Sequence, residues 1–141
     1  MTETRTLSDY PLQARDKLRY SDLDPMGHVN NAAFSTFLET GRVEMLHGTA
    51  GELARPGAGW VIARLGMDFL GEITWPGEVV TGTGVKRVGT SSVVLEQALF
   101  AGDRLAALAE TVIVQLDQTT RTSAPLSDTA RATFEGWALP A

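Results

Sequence analysis

Apolar residues recur at two different periods along this chain, and the change of period divides it. Over residues 30–47, Phe34, Phe37, Leu38, Gly41, Met45 and Leu46 fall three and four apart, which lines one face of a helix. Asn30 or Asn31 suits its N-cap, because a short amide side chain can accept from the unpaired first N–H groups, and Gly48 suits its end. After the helix the pattern reads as sheet. In 60–70, Val61, Ala63, Leu65, Met67 and Phe69 alternate with Ile62, Arg64, Gly66, Asp68 and Leu70, which predicts a half-buried strand. Trp75-Pro76-Gly77-Glu78 predicts a turn into a strand over 79–88, and Gly89 separates that strand from one over 91–100. Ala101-Gly102-Asp103-Arg104 predicts a hairpin into a last strand over 105–116. Ahead of the helix, 13–20 predicts a first, polar strand and 22–27 a turn. Beyond Gln118 the tail is polar, with a short helix predicted over 127–137.

One long helix followed by four consecutive strands is an α+β order, and an antiparallel sheet with one face on the helix is the economical packing. At 141 residues the chain is expected to form a single domain, 1–141, able to bury a core without a metal or disulfide. A single helix cannot cover five long strands, so an exposed edge or face favours dimerisation.

Composition narrows the function classes. With 43% hydrophobic and 21% charged residues the chain reads as globular. It has no cysteine, which removes disulfides, thiolate metal sites and a catalytic thiol. Two histidines make a poor metal-ligand set, so no metal is expected. The first ten residues lack the apolar stretch of a signal peptide, and no run approaches the ~20 apolar residues of a membrane span, so a soluble, cytoplasmic protein is expected. A net charge of −5 argues against nucleic-acid binding.

The chemistry gathers where turn meets helix, in Asp22-Leu23-Asp24-Pro25-Met26-Gly27-His28-Val29-Asn30-Asn31. Strand, Asp-x-Asp-x-x-Gly-His-Val-Asn-Asn, long helix and four strands together resemble the hotdog-fold thioesterases. Within them the chain is most similar to the 4-hydroxybenzoyl-CoA and short-to-medium acyl-CoA branch. The likeness continues into Phe37-Leu38-Glu39-Thr40-Gly41-Arg42, which resembles the branch's Phe-x-Glu-x-x-Arg, and into Gly89-Thr90-Ser91-Ser92. It implies a five-stranded antiparallel sheet wrapped around one central helix, dimers joined edge to edge or homotetramers, and active sites at the dimer interface. It also places Asp24 on the family's catalytic aspartate. The related plant acyl-carrier-protein enzymes carry a catalytic Asn where this chain has Met26, so neither their Asn-assisted arrangement nor a carrier-protein substrate is expected here.

These residue types suit thioester hydrolysis, which needs a group to deliver oxygen to the carbonyl and donors for the resulting oxyanion. Asp24 can be nucleophile or general base, and with an ordinary aspartate pKa near ~3.9 it is ionised at neutral pH. It precedes the helix N-terminus, whose free N–H groups and partial positive charge make an oxyanion site. By motif position the Asn31 N–H is the candidate donor. His28 either orients Asp24 or water, or is a hydrogen-bonded structural residue. Asp22, Gly27 and Asn30 shape and cap the loop, with Gly27 and Asn30 close enough to meet substrate. Glu39 is a secondary catalytic candidate because another hotdog branch uses a helix glutamate; paired with Arg42 at i+3 it would instead be a surface residue. Lys86, Arg87 and Arg121 are candidates for the coenzyme A phosphates, and Trp60, Phe69 and Trp75 for an acyl pocket. The expected activity is acyl-CoA hydrolysis with no cofactor beyond the coenzyme A of the substrate. The alternatives are a hotdog hydratase or dehydratase, and a non-catalytic acyl-CoA-binding domain.

Overall fold

The computed structural model describes residues 5–140. Five antiparallel strands run in the order β1-β3-β4-β5-β2: β1 Leu12–Lys17, β2 Ala58–Phe69, β3 Glu78–Val88, β4 Ser92–Ala101 and β5 Arg104–Asp117. Helix α1, Asn31–His47, lies on one face of the sheet, and a second helix, α2 (Asp128–Gly136), packs on that face near the far end of α1. The first strand is shorter than the 13–20 expected, because Tyr20–Asp22 turns into a single 3-10 turn closed by the Asp22 carboxylate on the Arg19 N–H (2.8 Å).

Helix α1 forms as its spacing predicts. Asn30 is the N-cap, its Oδ1 accepting the Ala32 N–H at 2.8 Å, and Gly48 closes the helix with its N–H on the Glu44 carbonyl. Phe34, Phe37 and Leu38 join Val79, Leu99, Ala106 and Ala107 in one core cluster; Met45 and Leu46 join Leu95, Ile113 and Phe134 in another. Between the clusters, α1 meets the sheet through polar groups. Gln97 donates to the Leu38 carbonyl (2.9 Å) and to the Thr83 hydroxyl (3.0 Å), while Thr81 donates to the Phe37 carbonyl (3.3 Å). Gly41 permits this approach: a Cβ there would come within 2.9 Å of Gln97 Nε2 and 3.0 Å of Thr81 and Thr83 side-chain atoms.

The sequence expectation for β2 needs two corrections. A bulge between Ile62 and Arg64 shifts the alternation, so Ile62 and Leu65 fall on one face opposite Ile113 and Thr111. The strand is also not half-buried. It is the sheet edge, and Ile62, Leu65 and Phe69 stand 47%, 39% and 49% exposed. Helix α1 sits mainly over β1, β3 and β4 and meets β2 through the contact of Phe34 with Phe69. No helix among the described residues is long and apolar enough to cross a membrane.

Candidate active site

The Asp24–His28 turn is a small hairpin whose shape the sequence sets locally. Leu23 and Val29 pair, the Asp24 N–H donates to the His28 carbonyl (2.8 Å), and the Gly27 N–H to the Asp24 carbonyl (3.0 Å). Gly27 has φ +82°, a left-handed conformation that few side chains tolerate. Asp24 Oδ1 accepts the N–H groups of Met26 (2.9 Å) and His28 (3.3 Å), so one carboxylate oxygen is engaged in the turn. The other, Oδ2, has no hydrogen-bond partner among the described residues.

Two further sets of bonds fix this hairpin. The Asn30 N–H reaches back to the Asp22 carbonyl at 2.8 Å, and Asp22 itself is buried and ion-paired with Arg19 at 3.0 Å. Val29 donates to the Ile73 carbonyl (2.8 Å) and His28 bridges Thr74, which ties the hairpin to the β2–β3 connection. Asp22 and Asn30 are thus the shaping and capping residues expected of them.

A cavity of about 440 Å³ opens here, lined by Asp24, Met26, His28, Asn31, Phe34 and Phe69 together with Val29 and residues 70–72. Along the first turn of α1, Asn30 takes the Ala32 N–H with its side chain and the Ala33 N–H with its carbonyl. The Asn31 N–H has no acceptor among the described residues. It is therefore the donor left over at the positive end of the helix, beside the cavity that also holds Asp24. Phe34 and Phe69 meet 5.2 Å apart, centroid to centroid, and form an aromatic wall.

One residue here carried no signal in the sequence. Glu72, on the β2–β3 connection, lines the same cavity and places Oε2 3.1 Å from Nε2 of His28. It is 44 positions from His28 in the chain, and neither periodicity nor a local motif points to it.

The other candidates do not converge on this cavity. Glu39 is exposed on α1 and does not line it. Nor does Glu39 pair with Arg42, as the i+3 spacing suggested: Arg42 is buried, its guanidinium donating to Gln97 Oε1 at 3.1 Å. Burial holds the Arg42 pKa below its ordinary value, with Glu39 opposing that shift. Lys86 Nζ lies 2.8 Å from Glu110, whose carboxyl is drawn below its ordinary range mainly by that hydrogen bond. Arg87 is level with Arg64 in mid-β2, through Val94 and Val112. At ~3.3 Å per residue that puts it roughly 16 Å along the sheet from Phe69. Arg121, with φ +62°, lies beyond the Asp117 end of β5, which pairs with Ala58 at the opposite end of β2. Trp60 packs on Phe134 and Trp75 on Tyr20, so of the three aromatic candidates only Phe69 lines the cavity.

The profile of the thioesterase-like superfamily matches residues 18–134. A Thermus thermophilus thioesterase, solved in complex with coenzyme A and zinc, is 30% identical with a TM-score of 0.77, over 89% of this chain and 98% of that one. A Pseudomonas aeruginosa protein, 24% identical over 96% and 97% of the two chains, has a TM-score of 0.84. A Staphylococcus aureus DHNA-CoA thioesterase shares the fold at a TM-score of 0.79 and 18% identity, over 89% and 91%. No curated protein matches.

Proposed function

Since this chain belongs to the thioesterase-like superfamily and is a thioester hydrolase, we propose that it cleaves acyl-CoA to free acid and coenzyme A, with Asp24 as the reacting carboxylate. The observation that carries the reading is the pairing, in one cavity, of a carboxylate oxygen without a partner and a helix N-terminal N–H without an acceptor. The thioester carbonyl oxygen would sit at the Asn31 N–H, where developing negative charge meets the helix dipole. Asp24 Oδ2 then either attacks the carbonyl carbon or takes a proton from a water that does. In either route the C–S bond breaks and its electron pair leaves on sulfur; direct attack leaves a mixed anhydride on Asp24, whose acyl–oxygen bond water then cleaves, and the thiolate takes up the proton that the water releases. Only water is consumed, so the reaction as written calls for no cofactor.

The apolar edge of β2 supports a homodimer in which two such edges pair antiparallel and continue the sheet. Antiparallel pairing sets the start of one β2 beside the end of the other. The Arg121 end of one copy then approaches the Phe69 end of its neighbour, which is how Arg121 would serve coenzyme A phosphates across the interface. The test is thiol release from a panel of acetyl-, butyryl-, octanoyl-, palmitoyl- and benzoyl-CoA. Release from at least one is expected; silence across the panel overturns the reading.

A further inference from the structure

We propose that Glu72 is a positioning residue for His28, fixing the ring from which a proton passes to the departing thiolate. The inference rests on the acyl-CoA reading above and adds a second proton-handling group to it.

The geometry comes from two segments that the fold stitches together. His28 and Thr74 form a bridge, and the Val29 N–H donates to the Ile73 carbonyl at 2.8 Å, so the His28 and Glu72 side chains emerge side by side. Their 3.1 Å contact lies on the wall of the cavity that also holds Asp24. A purely structural purpose explains the pair poorly. Glu72 is 72% exposed and His28 32%, and an ion pair so open to water contributes little to stability. The hairpin's own hydrogen bonds and the strand-like bonds to Ile73 and Thr74 already fix the backbone. What the carboxylate does for the ring is geometric: a partner 3.1 Å from Nε2 fixes the ring's orientation.

Asp24 and His28 then divide the proton work. Asp24 Oδ2 takes a proton as water oxygen bonds to the carbonyl carbon. When the C–S bond breaks, its electron pair goes to sulfur, and the imidazolium gives its proton to that sulfur. The proton held by Asp24 restores the imidazolium, so water is consumed, acid and thiol leave, and both side chains regain their starting states. Few other charges face His28. Its own loop offers Asp24, the β2–β3 connection offers Glu72, and the first turn of α1 offers none. Arg104 reaches Gly71, next to Glu72.

The test compares the full-length wild type, Glu72→Gln and Glu72→Asp in kcat and KM, with a thermal melt of each. The kcat of Glu72→Gln is expected to fall ~10-fold with KM little changed, since a thiolate departs readily and gains only modestly from an acid. Glu72→Asp is expected to recover part of that loss, with all three melts alike. A kcat of Glu72→Gln equal to that of the wild type, or no recovery in Glu72→Asp, overturns the proposal. A wild type inert toward every acyl-CoA overturns the functional reading instead, so the two failures are told apart.

Discussion

The two ends of α1 do opposite work. At its C-terminal end, Met45 and Leu46 are enclosed by Leu53, Val93, Leu95, Ile113 and Phe134, with Trp60 and Trp137 stacked edge-on against Phe134. At its N-terminal end the cap is exposed, Asp24, His28 and Glu72 stand partly in solvent, and the Asn31 N–H has no acceptor among the described residues. Apolar burial therefore runs under both ends, through Val29 and Phe34 beside the cavity as well as Met45 and Phe134 beyond it, while only the N-terminal end turns a helix N–H and a carboxylate oxygen toward the cavity. Stability and reactivity are separable along one helix because hydrophobic burial is distributed over the whole contact face, whereas helix-end electrostatics fall off within a turn.

That separation can be broken from either end. Phe134→Ala removes a fully buried ring and should cost ~3–5 kcal/mol of unfolding free energy. A large drop in melting temperature is expected, with kcat per folded molecule retained; a lost kcat would couple the ends. Asp24→Asn should do the reverse, costing ~100-fold or more in kcat while leaving the melt nearly unchanged. Full activity in that variant would remove Asp24 from the mechanism. Between the ends lies the β2 edge. Ile62→Lys places a charge on an exposed apolar edge residue and should abolish the proposed β2–β2 dimer in sedimentation measurements; a wild type that sediments as a monomer would overturn that dimer. If the cavity is completed by a second copy, activity should fall with it.

The smallest effect is expected at Asp16, on β1. Burial holds its carboxyl above the ordinary aspartate value, with the Thr40 hydroxyl opposing, and Oδ2 has no partner. Between the ordinary pKa and the raised one the folded state binds more protons than the unfolded state. Stability from this group is therefore full below the ordinary value and declines as pH rises through the raised one. Asp16→Asn should flatten that decline in denaturant midpoints measured from pH 4 to 7. An unchanged slope would show that the burial of Asp16 is not felt energetically.

The parts of the site that were legible beforehand were those encoded by neighbours in the chain. Asn30 as cap, Gly27 as the left-handed turn residue and Asp24 beside the helix end all follow from residue types spaced within ten positions. Glu72 was not legible, because it meets His28 only through the pairing of the hairpin with the β2–β3 connection. Lys86 looked like a free cation and is engaged by Glu110 across the sheet. Arg42 looked like a partner for Glu39 but turns inward to Gln97, since its place on the buried stripe outweighs the i+3 spacing. In β2 the alternation was misread after Ile62, because one extra residue in a bulge inverts every later side chain.

The helix, its caps, the Asp24–His28 turn and the number of strands are all legible in the sequence, because they depend on periodicity and turn chemistry within a few residues. Only the assembled fold shows that β2 is an exposed edge, that α1 lies mainly over β1, β3 and β4, and that Glu72 stands against His28. The physical reason is the same in each case. Strand order and register are set by pairings between distant segments, whose preference is the sum of many weak contacts and leaves no mark at any one position.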